Sequence, residues 1–434
     1  MNESKSSFFR QGAWLSAATL LTGGFMIGAQ LIGNTMGREQ FEILIMMLRL
    51  FLVLGIPSAG LQIVFAQQTA AAVTPESQRQ LAATLRRVLP GVFALWLVML
   101  LVAIFCREGL ARQFKLGDGR VLWPTLGVAL TWLTLPVFRG VLQGRQNFGA
   151  LGWVSLLDGA GRITATGLIV LAWHGQAAGA MLGALTGQVF SMGVAVWATR
   201  DVWRVRGAAK VDWAVWFRRV LPYTLGAAGL IVLANFDVIF LKAAIPGTKA
   251  DEFDLGELYL PAWMIGFALT QITVPLAMVM FPKIARSAAT GIKSDALTLT
   301  LVGTAILGGL SWVGVLLLPK LPLQILFFRT PANWAAAPMV PWCVFAMLAY
   351  ALANVLVNDQ LARSRFAVVP WIVAVAVGYV ALLVVLTPHL LTMEPFSAYR
   401  VVAGVIGGAN LLLLGVAAFL TWGRPTKTPA PRAP

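Results

Sequence analysis

The chain has 434 residues, 59% of them hydrophobic and only 12% charged, with a net charge of +16. A soluble domain of this length carries about twice that charge, so a soluble fold is excluded. The basic excess invites a nucleic-acid reading, but the Lys and Arg residues lie mainly in alternate short loops between apolar stretches, which is a topology signal instead.

A hydrocarbon core of roughly 30 Å needs about 20 apolar residues as helix. Twelve such stretches are read at about 14–33, 42–66, 88–106, 121–142, 150–173, 177–198, 220–241, 258–281, 297–318, 339–358, 367–387 and 398–422. In lipid every backbone polar group must be satisfied internally, so each stretch is expected to be a helix. The fold class expected is an all-α integral membrane protein of about twelve transmembrane helices. The 33 basic residues are richest in the loops that are cytoplasmic when the N-terminus is inside, which places both termini in the cytoplasm.

Lys5 and Arg10 before the first stretch resemble a signal peptide, yet no A-x-A site follows, so span one reads as an uncleaved helix. In span two, Arg49 lies roughly 10 Å from the outer end and has no acid three or four residues away, so it is placed facing a cavity. Pro57, between Gly55 and Gly60, is expected to kink that span and act as a hinge. Arg139, close to the cytoplasmic end of span four, is expected to snorkel outward.

Span five carries Asp158 and Arg162, roughly 12 Å and 18 Å deep. Their spacing puts them on one helix face as an ion pair. Two readings stand: a self-neutralising pair, or an anion site at Arg162 gated by Asp158. Span six carries Gly175, Gly179, Gly183 and Gly187, one every four residues, continued by Ser191 and Ala195. Such a row admits a neighbouring backbone, and close packing is the expected role.

The basic loop 199–219 divides the chain into an N-terminal six-helix half, 1–198, and a C-terminal half, 220–422, with a Pro-rich cytoplasmic tail at 423–434. An even number of spans makes the halves parallel repeats. At one offset of 218, Pro57 meets Pro275, and Arg145, Phe148 and Trp153 meet Arg363, Phe366 and Trp371. Pro275 in span eight is the matching hinge candidate. Span seven ends with Asn235 and Asp237; Asp237 is a candidate for a coupling proton or cation, or a partner of Lys242. Gln188 and Asn410 are expected to join helices. Cys106, Cys343, His174 and His389 sit in no metal or redox spacing, so no metal and no cofactor is expected. With no P-loop and no catalytic triad in sequence, an ATP-driven pump and an enzyme are both disfavoured.

The stretches RGVLQGRQNFGALGWVSLLDGAGR (139–162), NFDVIFLKAAIP (235–246), GELYLPAWMIGFAL (256–269), FPKIARS (281–287) and LGIPSAGLQIVFAQQTAAA (54–72) resemble polysaccharide flippases of the multidrug/oligosaccharidyl-lipid/polysaccharide (MOP) exporter superfamily. That resemblance implies a MATE-like pair of six-helix bundles moving an undecaprenyl-pyrophosphate glycan across a bacterial inner membrane by alternating access. The polyprenyl tail would stay in lipid while a cationic cavity replaces water around the phosphates. Arg49 and Arg162 are the candidate phosphate contacts, with Arg145 and Asn235, in the resembling stretches, in the same set; Asp158 and Asp237 are the gating or coupling candidates. H+ or Na+ coupling, membrane lipid, and association with glycosyltransferases and a polymerase are the implied partners of a monomer, with no nucleic acid.

Twelve spans, where related lipid II flippases have fourteen, favour an O-antigen, capsule or exopolysaccharide type. The nearest rival is a multidrug exporter of the same superfamily. Bacterial exporters of that kind often carry an acid in span one, and 14–33 has none. A membrane glycosyltransferase would need acidic catalytic residues and a large outer loop.

Overall fold

The structure, a computed structural model, describes residues 5–109, 119–205, 212–245, 253–292, 294–328 and 330–423, without the side chains of Lys5, Asn34, Arg38, Arg49, Leu50, Leu52 and Val53. Every expected span is helical. The long helices are α1 (Lys5–Gly33), α2 (Arg38–Ala71), α3 (Pro75–Phe105), α4 (Leu122–Gly144), α5 (Phe148–Thr166), α6 (Gln176–Ala198), α7 (Trp213–Ala244), α8 (Leu260–Thr290), α9 (Ala296–Leu317), α10 (Val340–Ala362), α11 (Val369–Leu390) and α12 (Pro395–Trp422). Among the described residues 11 helices are long and apolar enough to cross a membrane, and α2, 34 residues long, takes the place of the second span. The described residues contain no strand.

Helix starts follow local chemistry. Thr74 and Ser77 form a reciprocal capping box at α3, with Pro75 in its first turn. The Asn147 side chain accepts from the Ala150 N–H at 3.1 Å and starts α5. α2 passes through Pro57 and α8 through Pro275 with helical backbone on both sides. The two prolines therefore do not interrupt their helices, as an interrupted pair of spans would require.

The two turns at the 218-residue offset have the same backbone form. In the turn after α4, the N–H groups of Arg145, Gln146 and Asn147 donate to the carbonyls of Val141, Gln143 and Leu142 at 3.0, 2.9 and 2.9 Å. After α10, those of Arg363, Ser364 and Arg365 donate to Asp359, Leu361 and Gln360 at 3.1, 2.8 and 2.8 Å. Every donor and acceptor is displaced by the same amount (363 − 145 = 218). Gln146 and Ser364 both sit at positive φ, 61° and 56°, a conformation that non-glycine residues seldom adopt. Both turns are helix C-caps of the left-handed type, a common way for helices to end.

By contacts the chain forms two compact units, one of residues 1–227 with 278–294 and the other of 228–277 with 295–434. The boundary thus differs from the loop 199–219 expected from sequence. The reason is that the first half of α7 and the last half of α8 pack within the first unit. Gly60 of α2 lets Thr224 of α7 approach so closely that a Cβ would lie 2.9 Å from the Thr224 Cα. The Gln143 amide of α4 donates to the Met278 carbonyl of α8 at 3.1 Å.

In the first unit α5 and α6 are the tightest pair, and the glycine row is the reason. A Cβ on Gly187 would lie 2.7 Å from the Arg162 nitrogen, and one on Gly183 2.6 Å from the Thr166 nitrogen. Gly179 faces Ile169, and Ser191 extends the row by donating to the Val154 carbonyl at 2.6 Å. The row is a helix-packing surface, as its spacing indicated. Gln188, on the same helix, accepts from the Thr131 hydroxyl of α4. In the second unit, Asn410 of α12 donates to the Ala346 carbonyl of α10 at 3.1 Å, and Gly266 of α8 packs on the Cys343 backbone.

Candidate functional site

The close α5–α6 contact fixes the height and direction of Asp158 and Arg162, both buried at 4% and 9% exposure. Arg162 lies 3.9 Å from one Asp158 oxygen, along its own helix. The other oxygen accepts from Arg139 of α4 at 3.1 Å. Arg139 therefore does not snorkel. The tight α4–α5 turn folds it back to the level of Asp158, where a carboxylate replaces its lost hydration.

Two guanidinium groups thus share one carboxylate. The cluster carries one surplus positive charge. The Nε atoms of both arginines, and the Asp158 Oδ1 atom near Arg162, are buried and make no hydrogen bond. Buried donors without partners are uncommon and call for an explanation. An anionic oxygen supplied from outside would meet the surplus charge. Sequence reading missed Arg139 because its nearest acid is across a turn, 19 residues on (158 − 139 = 19), where no helical spacing rule applies.

The other candidates are elsewhere. Arg49 falls in α2, and its side chain lies outside the described residues. Arg145, at the end of α4, pairs with Asp201 beyond α6 at 2.6 Å. Asn235 turns back on its own helix and donates to the Ile231 carbonyl at 3.0 Å. In the second unit, Asp237 is 1% exposed and accepts from the Tyr259 hydroxyl at 2.6 Å. Lys242, the partner weighed in sequence, is exposed near the end of α7. The Tyr259 ring also packs tilted against that of Tyr399, 5.0 Å between centroids, and Tyr399 donates to the Phe253 carbonyl at 2.7 Å. Asp237 is thereby held by hydroxyl chemistry rather than by a cation.

Partial burial acts to raise the Asp201 carboxyl, but the hydrogen bond and charge of Arg145 outweigh it and hold the group below the usual carboxylate range. A lowered folded value gives stability that is present above the ordinary aspartate range, near pH 4, and lost as pH falls through the lowered one. The two side chains are 40% and 58% exposed, so the pair is worth at most about 1 kcal/mol and is screened by salt. Arg145→Gln is expected to lower the unfolding midpoint slightly at pH 6 in low salt and not at pH 2.5. An equal loss at both pH values would show that the charge pair is not the cause.

Among the described residues no group of three His, Cys, Asp or Glu side chains converges as a metal site would require. The profile of the family described as "Polysaccharide biosynthesis protein" matches residues 8–288. No curated protein sequence matches the chain. Solved structures do. A MATE in complex with MaD3S superposes with a TM-score of 0.76 at 12% identity, covering 96% of each chain. The outward-facing conformation of a multidrug resistance MATE family transporter of the MOP superfamily gives 0.75 at 13% identity, covering 96% of this chain and 95% of that one. A MOP superfamily transporter from Pyrococcus furiosus, described as having a binding pocket of reverse polarity, gives 0.76 at 11% identity with the same coverage. At such identities the likeness establishes the fold alone, the all-helical fold of the MATE structures.

Proposed function

Because the chain belongs to the polysaccharide biosynthesis protein family of the MOP superfamily, we propose that it moves a polyprenyl-pyrophosphate-linked oligosaccharide across the bacterial inner membrane, with both termini cytoplasmic. The observation that carries this reading is the buried Arg139–Asp158–Arg162 cluster, with its surplus positive charge. A pyrophosphate entering hydrocarbon meets a steep desolvation cost. Fixed guanidinium donors offset it where water cannot follow. A drug cation would be repelled by the same cluster. Asp237, buried without a cationic partner in the described residues, is the place where a proton or a coupling cation would act.

The test is transfer in proteoliposomes. A fluorescent undecaprenyl-pyrophosphate glycan, placed on one leaflet, should become accessible on the other faster than in protein-free vesicles. Arg162→Ala and Arg49→Ala should abolish that transfer while the protein still inserts. Export of a quaternary ammonium dye without glycan transfer would assign the protein to multidrug transport instead.

A further inference from the structure

Asp158 and Arg162 stand one helical turn apart with the acid first, a spacing that ordinarily closes an ion pair on a helix face. Here the pair does not close. The nearest Arg162 nitrogen is 3.9 Å from the Asp158 Oδ1 atom, beyond hydrogen-bond range. Among the described residues that oxygen has no hydrogen-bond partner, although it is buried. The Oδ2 atom accepts from Arg139 at 3.1 Å. The carboxylate is thus committed to the neighbouring helix α4 rather than to the arginine on its own.

The direction of Arg162 matters as much. Trp153, nine residues before it (162 − 153 = 9), is 56% exposed, and Thr164, two residues after it, is exposed. At about 100° per residue both lie on the opposite side of α5. Arg162 therefore projects inward, on the side where Arg139 of α4 and Gly187 of α6 approach. Its side chain keeps 11% of its surface open there. The charges follow from the pairing. With Asp158 on Arg139, one pair is balanced and the Arg162 charge is left over. Without Arg139, the carboxylate is released to close on Arg162 along the helix, and the surplus charge disappears.

We infer that Arg139 is a positioning residue: by holding Asp158 it keeps the carboxylate from neutralising Arg162, and Arg162 is the member of the cluster that meets the pyrophosphate. The inference rests on the flippase reading and adds to it how the binding charge is kept from its own counter-ion. An incoming phosphate oxygen then has no Asp158–Arg162 hydrogen bond to break. It gains a charge-assisted bond at no such cost.

The probe is radiolabelled farnesyl pyrophosphate, bound to the full-length protein in lipid nanodiscs, with farnesol as the uncharged control and empty nanodiscs as background. Wild type should bind the pyrophosphate above background and not the alcohol. Arg139→Gln leaves Arg162 in place, yet should weaken binding about tenfold or more, with a thermal midpoint near that of wild type. Adding Asp158→Asn should restore binding to within severalfold of wild type, because Arg162 is again without a counter-ion. An arginine that only supports the fold would not be rescued by this second substitution. Unchanged binding in Arg139→Gln, or no pyrophosphate binding by wild type, would overturn the inference. So would a double variant as weak as Arg139→Gln, which would make Arg139 itself a phosphate contact. If the inference fails while wild type transfers the lipid-linked glycan, the flippase reading stands. If the binding pattern holds and no glycan is transferred, the positioning role stands and the flippase reading falls.

Discussion

Asp158→Asn is expected to destabilise the protein by about 3–5 kcal/mol, the cost of leaving buried charge uncompensated. Among the described residues Asp158 is the one carboxylate between Arg139 and Arg162, at 3.1 and 3.9 Å. With it neutral, two guanidinium groups face each other inside the first unit. Arg162→Gln acts in the opposite sense. It leaves one Arg139–Asp158 pair, balanced in charge, and should leave the thermal midpoint of the solubilised protein near that of wild type. Under the proposed function Arg162→Gln nevertheless abolishes glycan transfer, because the surplus charge is gone. Adding Arg139→Gln to Asp158→Asn should recover much of the lost stability, since one buried charge is then removed with its partner. This separation of stability from transport decides between the two readings of the cluster. A structural ion pair gives parallel losses in both measurements. If Arg162→Gln transfers glycan normally, the phosphate role of the cluster is lost.

Much of the fold was legible because a bilayer imposes few choices. Length and hydropathy located every long helix, since lipid leaves a spanning backbone no other form. The glycine row was readable because its period of four aligns it on one face, and packing is what such a face does. The offset of 218 was visible in a few side chains; the left-handed turns at Gln146 and Ser364 needed coordinates. Pro57 and Pro275 illustrate the limit: proline marks a weakened position, but whether the helix breaks there depends on neighbours far along the chain. Ser58, beside Pro57, donates to the Leu54 and Trp132 carbonyls at 2.7 and 2.9 Å and ties that segment of α2 to α4. Arg139 and the Tyr259 partner of Asp237 were illegible for the same reason. Each pairing joins two helices, and helical spacing speaks only within one.

Gly187→Ala should disable the protein, while Gly193→Ala, six residues on in the same helix, should be silent. A Cβ on Gly187 would run into the Asp158 carbonyl oxygen and lie 2.7 Å from the Arg162 nitrogen. Both are backbone atoms of α5, so no side chain can swing aside. The helices must separate, and overpacking of this kind costs about 1–3 kcal/mol or more. The displaced segment is the one that carries Asp158 and Arg162, so transfer should fall further than stability does. Gly193 has no atom within 4 Å of its would-be Cβ; alanine there adds only its helix propensity, about 1 kcal/mol at most in its favour. Thermal unfolding and glycan transfer of the two variants, measured side by side, check the assignment. Equal tolerance at both positions would mean that the α5–α6 contact does not set the geometry of the arginine cluster. A Gly187→Ala protein that folds stably but transfers poorly would place the effect on Asp158 and Arg162 themselves.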